Sequence, residues 1–345
     1  MKTIFFLILL NFFLIEPSHA QKILSNPTII SKPTGVFTNY NGSKSILKNE
    51  NINGFLIKIK WNQLEKNEGE YDFSIIDSKI KKIKFFKKSW SLAILAGPHS
   101  PKYLKRNADF FLYKSPKGLK KIPKYWDGNA QEAIRRLMTV LARKYNNDPS
   151  LKLVYVPQMT ADGISSNFKT IREPYKELYD NGFTKDKWIS AVIESSIYTA
   201  SAFSNKAIAL EIQELAGNHE IAKEVLLTLY NDKNIGDRLG ASIWWLNGEK
   251  DKQKDLFELL KKYQGDIYIH ISGNSSQTWK FGYRGFHYIF WQAKDLGARY
   301  IEIDNYEIKK ETSEKHIKNF NKYTDKKFLP KKKARIIGKT NKYDP

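Results

Sequence analysis

The chain has 345 residues and no cysteine, and its 58 basic and 36 acidic residues give a net charge of +22. The length is ample for one barrel of roughly 250 residues plus extensions, and the lack of cysteine excludes disulfides, Cys-ligated metals and Cys nucleophiles. The positive field favours acidic partners: anionic polysaccharide, lipopolysaccharide, a membrane surface or nucleic acid.

Lysine far outnumbers arginine. Arginine is the residue suited to bidentate recognition of bases and phosphates, so a dedicated nucleic-acid binder is not expected. An AT-rich coding sequence would give the same excess of Lys, Asn and Ile, so charge alone does not choose the partner.

The N-terminus opens with Lys2, an apolar run from Ile4 to Ile15, and Ser18-His19-Ala20. This pattern predicts a signal peptide over residues 1–20 with Gln21 as the mature start. The run is short for a bilayer span, so no transmembrane segment is expected. The expected location is periplasmic or extracellular. Residues 21–32 form a polar lead.

From residue 33, β-branched runs alternate with amphipathic stretches. Eight strands are expected, at Gly35–Tyr40, Gly54–Trp61, Ser91–Gly97, Lys152–Gln158, Ala207–Gln213, Leu239–Leu246, Asp266–Ser272 and Arg299–Asn305. Apolar residues spaced near 3.6 predict helices over Ile75–Phe86, Ala130–Tyr145, Lys187–Phe203, His219–Tyr230, Lys252–Tyr263 and Gly285–Leu296. Strands and helices in this alternation predict an α/β fold, a single-domain (β/α)8 TIM barrel over residues 33–308. No Gly-x-Gly-x-x-Gly follows the first strand, which counts against a dinucleotide, and no cofactor is expected. Residues 98–129, rich in Lys, Pro and aromatics, follow the third strand and should lie over the C-terminal mouth. Residues 309–345, with 13 basic and 4 acidic residues, read as a basic tail.

The stretch Lys58–Phe73 reads KIKWNQLEKNEGEYDF. It resembles the W-x-x-L-E-P-x-x-G-x-Y-D-F segment of barrel glycoside hydrolases, notably the β-galactosidase-like family 42 and its relatives. Trp61, Leu64, Glu65, Gly69, Tyr71, Asp72 and Phe73 match, and Lys66 stands where Pro is usual. Leu95–Leu104 resembles the Pro-rich turn after the third strand of those enzymes. Ala293–Glu302 resembles the last helix and strand of an uncharacterised bacterial branch. Beside this resemblance, Glu65 sits in turn-forming sequence past a strand end and reads as structural.

The resemblance implies glycoside hydrolysis by two Glu residues, at the ends of the fourth and seventh strands. Such chemistry needs one carboxyl to protonate the leaving oxygen and a second to attack or to activate water. Here neither expected position holds Glu. The fourth-strand region offers only Asp162, in a loop, and the seventh ends in His270-Ile-Ser-Gly-Asn274. The remaining catalytic candidates are Glu302, then Glu211, then Asp162; the two Glu sit near strand ends, where a carboxylate must be paired or solvated.

Candidate substrate-binding residues are Trp61, His99, Gln158, Gln213, Trp245, His270, Asn274 and Tyr306, all at or just past expected strand ends. Aromatic faces stack on the C–H faces of sugars. Alternation allows only one of Trp244 and Trp245 to face the barrel axis. No His-x-His or His-Glu-x-x-His spacing occurs, so no metal is expected. Nor is there a Gly-x-Ser-x-Gly or a phosphate loop.

Three readings stay open. The first is an exported glycoside hydrolase acting on a poly- or oligosaccharide, with an acidic polysaccharide favoured by charge. The second is a catalytically inactive carbohydrate-binding barrel of the cell envelope. The third is a basic protein held at a surface by its tail.

Overall fold

The structure, a computed structural model, describes residues 30–329 apart from 116–117, 166–167, 169–174, 216–218 and 250–252. The expected signal peptide over residues 1–20 and the Lys331–Lys333 cluster lie outside the described residues. Among the described residues there are ten strands: β1 Gly35–Asn39, β2 Gly54–Lys60, β3 Ser89–Leu95, β4 Phe110–Ser115, β5 Gly118–Pro123, β6 Leu151–Tyr155, β7 Ala207–Glu211, β8 Leu239–Ile243, β9 Asp266–His270 and β10 Tyr300–Ile303. Eight of them close into a parallel barrel in the order β1-β10-β9-β8-β7-β6-β3-β2. Each expected strand contains most or all of one barrel strand. The protein is a single-domain (β/α)8 barrel.

Period-two alternation sorts the strand residues. Phe37, Leu56, Ala93, Leu153, Ala209 and Tyr300 point inward and pack together in the barrel, while Val36, Ile57, Leu92, Val154, Ile208 and Ile301 point outward under the helices. Short Ala and Gly positions make room for the large inward rings. A side chain at Gly240 would collide with the Tyr268 ring. Two of the long helices start on a side chain that satisfies a free N–H group. Asp127 accepts from the Ala130 amide (3.0 Å) at helix Gly128–Tyr145, and Thr184 accepts from the Lys187 amide (3.2 Å) at helix Lys185–Ala202.

Two features differ from the sequence expectation. Inside the expected loop, β4 and β5 pair as an antiparallel two-stranded sheet. Its exposed face carries Phe110, Leu112 and Leu119 among lysines, while Phe111, Tyr113 and Ile122 are buried. The barrel also extends past residue 308. Glu311–Phe328 is a helix that buries Ser313, Ile317, Phe320 and Thr324, and Asn321 accepts a hydrogen bond from the Val36 amide at 2.9 Å. The first half of the basic tail is therefore the eighth barrel helix. Dense lysine masked its one buried stripe, which has helical spacing. Among the described residues, no helix is long and apolar enough to cross a membrane.

Candidate active site at the barrel mouth

The inward register continues to the C-terminal ends of the strands. Glu211 lies beside Ser242, Ser242 beside Tyr268, and Tyr268 beside Tyr300. One layer higher, His270 lies beside Glu302. These residues form the floor of the mouth.

Glu302 is fully buried. Its Oε2 accepts from the Tyr300 hydroxyl at 3.1 Å, and that hydroxyl lies 3.2 Å from Ser91 Oγ. Its Oε1 is 2.9 Å from His270 Nδ1, but the approach is out of line and neither atom makes a hydrogen bond. Burial holds the His270 imidazole below its usual pKa, with Glu302 pulling the other way. Trp244 lies on His270 with ring centroids 4.0 Å apart, and the Tyr155 ring meets Trp244 edge-on at 5.9 Å. Lys58, inward on β2, places Nζ 5.4 Å from the centre of the Trp244 ring. Burial raises the Tyr155 hydroxyl, and Glu302 and Glu211 add to the effect. Glu211 is itself buried, with Oε1 3.3 Å from Gln213 Nε2.

Above this floor opens a cleft of about 310 Å³, lined in part by Asp162, Ser165, Gln213, Trp244, Ser272 and Lys280. Its β6 side is built by a tight loop. Asp162 Oδ1 accepts from the Ile164 and Ser165 amides at 3.0 and 2.8 Å, and Oδ2 takes the Ser165 hydroxyl. Gly163 has φ +87°, and any side chain there would strike the backbone of Ala96 at the end of β3. Gly97 (φ +53°) meets the Thr160 backbone in the same way. The two rim segments are thereby pressed together.

The cleft gathers Asp162, Gln213 and Trp245, with His270, Glu211 and Glu302 beneath. The other sequence candidates fall elsewhere, and Trp245 lines the cleft with its ring turned from the barrel axis. Trp61 is fully buried and donates its indole N–H to Glu65 at 2.7 Å, so it offers no face to a sugar. Gln158 is fully buried and donates to the Glu211 carbonyl at 2.9 Å. Trp245 is 8% exposed and donates to the Ile212 carbonyl at 2.9 Å, which turns it away from the axis. Asn274 spends its carboxamide oxygen on Ser276. Tyr306 is 40% exposed on the short helix Asn305–Ile308, with Lys310 Nζ 4.7 Å from its ring centre. His99 is half-buried after β3, and burial, then Lys60, Lys105 and Lys120, hold its imidazole below the usual pKa.

Sequence reasoning left two inward residues out of its candidates, Trp244 and Lys58. Alternation from Ser242 and from Leu56 was the signal available. Among the described residues, no cluster of three or more His, Asp or Glu is placed to hold a metal ion.

No family model matches the sequence, and no curated protein does. Solved structures similar to the chain include three glycoside hydrolases. One is the β-galactosidase from the psychrophilic Marinomonas ef1, at 12% identity and TM-score 0.49 over 78% of this chain and 53% of that one. Another is native xylanase 10B from Thermotoga maritima, at 12% identity and TM-score 0.48 over 79% of this chain and 82% of that one. The third is described only as a glycoside hydrolase, at 13% identity and TM-score 0.49 over 79% and 88%. The chain spans about half the length of that β-galactosidase. The fold assignment rests on the closed strand order itself.

Proposed function

We propose that this protein is an exported, glycoside-hydrolase-like barrel that binds a poly- or oligosaccharide in the mouth cleft, with Trp244 as the sugar platform. The carrying observation is an inward tryptophan in a cleft of about 310 Å³ whose lining also includes the polar side chains Gln213, Ser165, Ser272 and Lys280. A flat apolar face edged by donors and acceptors matches a sugar ring, which is apolar on its faces and polar at its rim. Lys58 and Lys280 favour an anionic chain. The resemblance of Lys58–Phe73 to family 42 enzymes supports the same class.

Binding without hydrolysis is the reading the geometry favours. Of the three candidate carboxylates only Asp162 lines the cleft, and its oxygens are held by its own loop. Hydrolysis is the second reading, favoured by two buried carboxylates, Glu302 and Glu211, at inward positions on the ends of β10 and β7. It requires Trp244 to move off His270 so that a scissile bond can reach the floor.

The test is a panel of neutral and acidic polysaccharides incubated with residues 21–345, following both binding and released reducing ends. Trp244→Ala should weaken binding about tenfold, equivalent to ~1.4 kcal/mol. Binding that ignores this change removes the cleft from consideration. Reducing ends that vanish in Glu302→Gln would establish the hydrolytic reading over the binding one.

A further inference from the structure

A second cavity, of about 350 Å³, lies on the outer wall between helix Tyr288–Asp295 and helix Glu311–Phe328. It shares no lining residue with the mouth cleft. Tyr288 and Trp291 stack nearly parallel, centroids 5.0 Å apart at 16°, and Trp291 is 52% exposed. Arg284 lies beside them. Its Nε donates to the Tyr283 hydroxyl at 2.7 Å, and its guanidinium sits 4.5 Å from the Tyr288 ring centre.

Lys294, Asn319 and His316 complete the wall. His316 stacks on His287 with centroids 4.3 Å apart at 5°, and His287 Nε2 lies 3.0 Å from Ser313 Oγ. No carboxylate lines the cavity. The nearby Glu307 is fully buried and accepts from Ser313 Oγ at 2.5 Å and from the Ser275 amide at 2.6 Å. Among the described residues, neither Arg284 nor Lys294 has an ion-pair partner.

From this arrangement we infer that the outer cavity is a second glycan site, selective for an acidic sugar unit bearing a carboxylate or sulfate. Trp291 supplies the face against which the sugar ring lies. Arg284, hydrogen-bonded to Tyr283 and stacked on Tyr288, presents its remaining donors to the anionic group. Lys294 adds charge, and Asn319 and His316 meet hydroxyls. Phosphate or sulfate alone would use only the cations and leave the aromatic face empty.

The test uses the whole chain carrying Trp244→Ala, which separates this site from the mouth cleft. It is titrated with an oligogalacturonate, a neutral oligosaccharide of equal length, and inorganic sulfate. Binding is followed by tryptophan fluorescence and by the ring C–H resonances of His287 and His316. The oligogalacturonate should bind and shift both histidines. Adding Trp291→Ala or Arg284→Gln should weaken it about tenfold each, the change that ~1.4 kcal/mol produces. Lys294→Gln, on a partly exposed surface, should weaken it less, and binding should fall with added salt.

Equal binding of the neutral oligosaccharide would overturn the inference, as would an affinity untouched by Trp291→Ala in a folded chain. Sulfate binding as tightly as the oligosaccharide would reduce the cavity to a bare anion site and overturn it also. None of these outcomes bears on the mouth cleft.

Discussion

Glu65 and Glu302 are both fully buried carboxylates near strand ends, yet their surroundings are opposite in kind. Glu65 takes three donors: the Trp61 indole (2.7 Å), the Gly69 amide (2.9 Å) and the Tyr103 hydroxyl (2.9 Å). It clamps the chain where β2 turns outward, and nothing about it is left to act on a ligand. Glu302 has one donor in line, Tyr300, while its other oxygen faces His270 without a hydrogen bond. A buried carboxylate with all its donors met is structural mortar. One held against an imidazole with an oxygen unaligned keeps a lone pair uncommitted, so a small rotation can still change its partner.

Removing each carboxylate sharpens the contrast. Glu65→Ala strands three buried donors and should cost roughly 3–5 kcal/mol of stability, read as a large drop in denaturant midpoint or as failure to fold. A folded, near-wild-type Glu65→Ala chain would break the comparison. Glu302→Gln keeps the shape and an acceptor for Tyr300, so it should cost only about 1 kcal/mol. Its main effect should fall on whatever the mouth does.

The smallest effect concerns acid. Burial holds His270 below the usual value near 6.5, so the unfolded chain takes up a proton first as pH falls. Stability contributed by the neutral ring is therefore full above about pH 6.5 and declines as pH falls toward the folded pKa. His270→Asn should flatten this acid limb in denaturant melts. It should not remove the limb, because His99, His287 and His316 are depressed in the same direction. An unchanged limb would mean that His270 binds its proton equally well in the folded and unfolded chain, and a steeper one that the folded protein holds it charged.

The barrel was legible because strand and helix periods differ. Runs such as Gly54–Lys60 alternate inward and outward positions, and stretches such as Gly128–Tyr145 repeat near 3.6. The helix Glu311–Phe328 was not legible because lysines crowd the three exposed sides of a single buried stripe. The β4–β5 pair hid among Lys and Pro. At the site, Glu302, Glu211 and His270 followed from strand-end position. Alternation narrowed Trp244 and Trp245 to one inward residue, but the phase of β8 chose Trp244, and phase depends on where the strand begins. Trp61 misled because a tryptophan at a strand end serves a sugar and a buried carboxylate equally well on paper.

For anyone wishing to redesign the mouth, the collision that would follow a side chain at Gly163 or Gly97 divides the rim into fixed and variable parts. Residues 160–165 and the end of β3 are locked by backbone against backbone, so sequence variation there would sacrifice the wall before altering selectivity. The opposite wall presents Gln213, Ser272 and Lys280 as side chains on an intact frame. A library restricted to those three positions would search ligand preference while leaving the barrel's assembly alone.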